Sequence, residues 1–184
     1  MNMKKDMKKK RLYTVEEMKE YVIKKFLERG VTLESIAEIV LYLQKKYVPG
    51  LTLEESLFNV ERVLSKREVL HAILTGLALD ELAEKNLLPE PLQYLVETDE
   101  GLYGIDEVLV YSIVNVYGSI GYTNFGYVDK EKIGIIKVLD SCHEDGRVNT
   151  FLDDIVGAVA ASAASRISHG KRDAEERQLE QRGQ

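Results

Sequence analysis

One cysteine, three prolines, four phenylalanines and no tryptophan in 184 residues close off several architectures before any motif is read. A single thiol, Cys142, allows no internal disulfide and no thiolate zinc cluster within one chain, and suits a reducing compartment. Prolines only at 49, 89 and 91, with 8% aromatics, fit long uninterrupted helices better than a sandwich or barrel. Also missing is any apolar run of the roughly 18 residues that a membrane-spanning helix requires. Asp106, Glu107, Lys137 and Asp140 interrupt the candidates. No apolar stretch follows the basic N-terminus, so no signal peptide is expected. What is present, 45% hydrophobic and 30% charged residues, describes a globule able to bury a core. The expectation is an all-α, single-domain multi-helix bundle, soluble and cytoplasmic.

The net charge of −6 is unevenly spread. Lys4, Lys5, Lys8, Lys9, Lys10 and Arg11 against Asp6 give residues 1–11 a charge of +5, which leaves −11 for the rest. An acidic body argues against a nucleic-acid partner. The basic segment is expected to be a flexible N-terminus, with peripheral contact to an anionic membrane as the functional alternative. A helical domain over 12–168 and a charged flexible tail over 169–184 complete the expected organisation, and no internal repeat is visible.

Thr14-Val-Glu-Glu17, Thr52-Leu-Glu-Glu55 and Ser65-Lys-Arg-Glu68 read as capping boxes, placing helix starts near 15, 53 and 66. Thr32 can cap a helix carrying Ile36, Ile39, Val40 and Leu43. Val69, Leu70, Ile73, Leu77 and Leu82 mark a long fourth helix closed by the Pro89–Pro91 break, with a short helix or turn over 91–98. Beyond residue 100, Gly101, Gly104, Gly118, Gly121 and Gly126 read as bends. Val108, Leu109, Ser112, Ile113 and Val116 keep helical spacing. Asp129 is expected to cap a helix from Lys130 to about Cys142, and Thr150 one from Phe151 to about Ser168 that is crowded with glycine, alanine and serine. The apolar faces between 105 and 128 could pair two copies in a homo-oligomer.

Acidic residues at three places carry the chemistry: Asp106-Glu107, Asp140 and Asp153-Asp154. Both doublets fall in first helical turns, where the helix dipole favours negative charge by about 0.3–1 kcal/mol, so capping alone could explain them. Asp140 lies toward a helix end where the dipole opposes it, three residues after Lys137, with which it can pair. Carboxylates gathered from several helices would need a shared cation or a catalytic task. His71 reads as a packed or half-exposed helix residue, and Cys142-His143-Glu144 as a turn before a metal ligand. No glycine-rich nucleotide loop is present, since Gly118-Ser-Ile-Gly121 is too short, and no Ser-His-Asp arrangement stands out.

In order, Gly104-Ile-Asp106-Glu107, Ile136-Lys137-Val-Leu-Asp140 and Leu152-Asp153-Asp154-Ile-Val-Gly157-Ala158 resemble the motifs of the phosphatidylglycerophosphatase A family, best over residues 98–168 and closest to its soluble branch. The resemblance implies Mg²⁺-dependent removal of the terminal phosphate from phosphatidylglycerophosphate, yielding phosphatidylglycerol. Asp106, Glu107, Asp140, Asp153 and Asp154 would then be catalytic and metal-site acids, with Glu107, Asp140 and Asp154 as Mg²⁺ ligands. Lys137, in place of the family's arginine, and Arg147 would contact phosphate. Two other readings stay open: a phosphatase for a soluble phosphomonoester, and a non-catalytic helical binding protein that keeps a structural metal site.

Overall fold

The computed structural model describes residues 12–141 and 146–182, with side chains described as far as residue 173. Lys4 to Arg11 and the Cys142-His143-Glu144 triplet lie outside the described residues. Within them the chain forms nine α-helices and no strand: α1 (Val15–Glu28), α2 (Leu33–Gln44), α3 (Leu53–Val63), α4 (Arg67–Glu84), α5 (Leu92–Glu97), α6 (Ile105–Val114), α7 (Gly118–Glu131), α8 (Ile135–Ser141) and α9 (Leu152–Arg182). A 3₁₀ turn, Asn115–Tyr117, joins α6 to α7.

Local chemistry starts the first three helices. The hydroxyls of Thr14, Thr32 and Thr52 each accept the backbone N–H three residues on, at 3.1 Å, a contribution of about 1 kcal/mol apiece. Ser65 does not act this way. Its hydroxyl turns back to donate to the Glu61 carbonyl at 2.8 Å, and α4 begins after Lys66 without a side-chain cap.

The first half of α9 is the axis of the molecule, with every residue from Phe151 to Ser165 buried. A helix buried all round needs small side chains if neighbours are to close on it. Ala158, Ala160, Ala161, Ala163 and Ala164 let α2, α3, α6 and α7 pack against it. Gly76 of α4 also lies against α9: a Cβ there would sit 2.7 Å from Ile155 Cδ1 and 3.0 Å from Phe151 Cβ, so a larger residue would force its neighbours to shift. Past His169, the expected start of the charged tail, α9 continues to Arg182.

The glycine-rich middle also differs from expectation. Gly121 and Gly126 lie inside α7 and do not mark bends, whereas Gly118, at φ 70°, is the bend between the 3₁₀ turn and α7; Asp129 lies in that helix's last turn, not at the cap of the next. Gly121 is there because a Cβ would meet the Val114 carbonyl at 2.8 Å. On α6 burial selects Val110, Ile113 and Val114, leaving Val108 and Val116 exposed, while Leu82 of α4 is also partly exposed. Among the described residues no helix is long and apolar enough to cross a membrane.

Candidate active site

Four different helices hold the strap that leads into α9. Arg29, at the end of α1, donates to the Val148 carbonyl at 2.9 Å and pairs with Glu84 of α4 at 3.0 Å. Glu84 in turn accepts the Val148 N–H at 3.0 Å. Asn149 donates to the Leu139 carbonyl of α8, and the Thr150 hydroxyl donates to the Val96 carbonyl of α5 at 2.7 Å. Thr150 is thus a tether rather than the expected cap. The start of α9 is capped from a distance by Asp80 of α4, whose two oxygens accept the N–H groups of Phe151 and Leu152, each at 3.1 Å. A helix start must have such acceptors when it is buried.

This scaffold aims the first turn of α9 into a cleft of about 180 Å³ lined by Asp99, Asp106, Glu107, Asp129, Lys132, Asp153 and Asp154, with Glu100, Gly101, Gly104 and Thr150. Asp106 and Glu107 arrive from the first turn of α6, which follows Gly104 in the left-handed region at φ 58°. Both members of each acidic doublet line the cleft, although adjacent helical residues diverge by about 100°. One cation enters among them. The Lys132 ammonium lies 2.9 Å from Asp129, 2.9 Å from Asp153 and 3.4 Å from Asp140.

Burial sets the electrostatics. Asp153 and Asp154 are 7% and 5% exposed. Desolvation lifts the Asp153 carboxyl to about 6 despite its ion pair with Lys132. Asp154 is pushed up to about 9, first by burial and then by Asp153, Asp129 and Asp106. Its carboxylate makes no hydrogen bond or ion pair with a described residue, although its own N–H donates to Asp153 Oδ1 at 2.8 Å. Asp106 and Glu107 are raised as well, chiefly by burial. Among the described residues no group of three His, Cys, Asp or Glu side chains is arranged to hold a metal ion as it stands. The donors in the cleft are nonetheless all oxygen, which suits a hard cation such as Mg²⁺.

The structure therefore brings Asp106, Glu107, Asp153 and Asp154 together and places Asp140 at their edge, where it meets Lys132 rather than the expected Lys137. Lys137 is exposed on α8 and is not part of the lining. Arg147 is also elsewhere, in shallow clefts beside Glu84 and Lys85. Sequence reasoning missed Lys132, Asp99 and the lining role of Asp129. The short run Asp129-Lys-Glu-Lys132 held a signal, since a cation three residues from an acid invites pairing.

Known proteins share much of this sequence and fold. The chain is 62% identical to the uncharacterized protein YpjQ of Bacillus subtilis strain 168 over 169 residues, covering 92% of this chain and 94% of that one. The crystal structure of YpjQ superposes with a TM-score of 0.84, covering 88% of this chain and 99% of that one. The uncharacterized protein YutG of the same organism is 60% identical over 148 residues, covering 80% and 89% of the two chains. The low temperature requirement C protein of Listeria monocytogenes is 55% identical, with a TM-score of 0.81 and coverage of 84% and 97%. The family model for phosphatidylglycerophosphatase A matches residues 22–169, a span that includes every acid of the cleft. The chain belongs to the phosphatidylglycerophosphatase A family.

Proposed function

We propose that the cleft hydrolyses a phosphomonoester with the help of Mg²⁺, and that the substrate is phosphatidylglycerophosphate. The observation that carries this reading is Asp154: a buried carboxylate without a partner, at the mouth of a rigid helix, surrounded by more acids than one lysine can balance. Asp154, Glu107 and Asp106 are the residues that would hold the ion. When bound, Mg²⁺ would supply neutralising charge to phosphate oxygens and acidify a coordinated water.

The chain's own residues supply the rest. Asp129, Asp140 and Asp153 fix the Lys132 ammonium at the cleft, ready to contact a non-bridging phosphate oxygen. Asp140 is thereby assigned to positioning Lys132, because it pairs with that side chain from outside the lining. A space of about 180 Å³ admits a phosphoryl headgroup and leaves acyl chains outside. Leu102, Ile105 and Val108, exposed and interleaved with the lining residues Gly101, Gly104, Asp106 and Glu107, offer those chains an apolar rim. Lys4 to Arg11 would add attraction to an anionic membrane.

A soluble phosphomonoester is the second reading, favoured by the lack of a helix able to cross a membrane among the described residues. Phosphate release from phosphatidylglycerophosphate in mixed micelles, compared with glycerol phosphate, separates the two. The proposal expects release that requires Mg²⁺, prefers the lipid, and is lost in Asp154→Asn. Turnover that persists in chelator or in that variant would overturn the assignment of the cleft.

A further inference from the structure

Farther along α9 the fold opens a second, larger space. A groove of about 930 Å³ runs between the 48–51 turn, the start of α3, Tyr117 and the 166–173 stretch of α9. It lies roughly 18 Å along the helix from Asp154, at 1.5 Å per residue for the twelve residues to Arg166. No part of its lining is shared with the acid cleft.

Its floor is unsatisfied. Among the described residues three buried side-chain atoms lack a hydrogen-bond partner: Tyr117 Oη, Ser162 Oγ and Arg166 Nε. Tyr117 and Arg166 line the groove, whereas Ser162, one helical turn before Arg166, is fully buried behind the lining. Each orphaned buried group costs about 1–3 kcal/mol, so the two at the groove call for an external partner. The chemistry of that partner follows from the donors. An arginine Nε–H can only donate, and the Tyr117 hydroxyl can donate as well. Burial pushes the Tyr117 phenol up to about 12, against the pull of Arg166 and Arg62, so its hydroxyl keeps its proton.

The walls have a different character. Leu51, Phe58 and Ile167 present apolar surface, and Phe58 is 56% exposed although it faces a concave space. Glu55 is engaged by the Thr52 N–H and hydroxyl at 2.9 and 3.1 Å, and Glu54 and Asp173 are exposed. We propose that this groove is a second ligand site, taking an amphiphile whose anionic head accepts from Arg166 and Tyr117 while its apolar body lies on Leu51, Phe58 and Ile167. The site is independent of the phosphatase reading.

Isothermal titration of the full chain with decyl phosphate, decanoate, decanol and inorganic phosphate, below micelle formation, tests this and tells a phosphate head from a carboxylate. One or both alkyl anions should bind one per chain, about tenfold or more tighter than decanol or inorganic phosphate. Arg166→Gln should weaken binding by about tenfold or more, the loss of one charge-assisted contact. Tyr117→Phe, which removes a single hydroxyl and keeps the packing, gives an independent check if Arg166→Gln fails to fold. Asp154→Asn should leave the affinity unchanged. Absence of binding by both alkyl anions overturns the proposal, as does binding that survives Arg166→Gln and Tyr117→Phe or that disappears in Asp154→Asn. Self-association that Phe58→Arg abolishes, with no amphiphile binding, would overturn it in favour of a second copy as the occupant.

Discussion

The back and the front of the first turn of α9 each hold a buried carboxylate, and the two are treated in opposite ways. Behind the turn, Asp80 is fully buried, yet both of its oxygens accept backbone N–H groups. In front, Asp154 is buried to nearly the same degree and accepts nothing. Burial lifts the carboxyl in both places, but only at Asp80 do hydrogen bonds from Phe151 and Leu152 oppose it. An acid with its hydrogen bonds filled builds the fold; an acid left empty on a rigid element is available for chemistry. The cleft repeats the division, since Asp129, Asp140 and Asp153 share Lys132 while Asp106, Glu107 and Asp154 have no lysine of their own.

Substitutions should expose this contrast. The largest effect on stability is expected from Asp80→Ala, which leaves two buried helix-start N–H groups without acceptors and should cost about 4 kcal/mol in urea denaturation. Lys132→Met comes next, with a loss of about 2 kcal/mol in metal-free buffer, a figure reduced because the side chain is partly exposed. A third outcome concerns pH. Asp154 is raised to about 9 in the folded chain, so between about pH 4 and pH 9 the native state keeps a proton that the unfolded state has released. Stability without metal should therefore fall as pH rises through that window, by up to about 1.4 kcal/mol per unit. Asp154→Asn should flatten the slope, which thermal melts at several pH values can follow; the residual slope belongs to Asp80, Asp106, Glu107 and Asp153, all also raised. The smallest effect is predicted for Lys137→Ala, within about 0.5 kcal/mol in stability and with phosphate release intact, as expected for an exposed side chain outside the cleft.

How much of this was legible in the sequence depends on how local each interaction is. Thr14, Thr32 and Thr52 reach N–H groups three residues away, so their helix starts could be read directly. The acidic doublets could be read for the same reason, because each opens a helix. The cap of α9 could not, since Asp80 lies 71 residues before the N–H it accepts. Nor could α7, whose glycines look like breaks until Val114 is seen pressed against Gly121. Lys132 escaped notice because its closest buried partner, Asp153, stands 21 residues downstream on another helix. Lys137 and Arg147 were drawn to the site by order along the chain, and the fold turns them elsewhere.

Whether Asp154 is left unpaired for a cation is read most directly from the thermal midpoint at pH 8 with and without Mg²⁺, for the wild type and Asp154→Asn. Mg²⁺ should raise the midpoint of the wild type and leave that of the variant unmoved. Equal shifts in the two proteins, or none in the wild type, would contradict it.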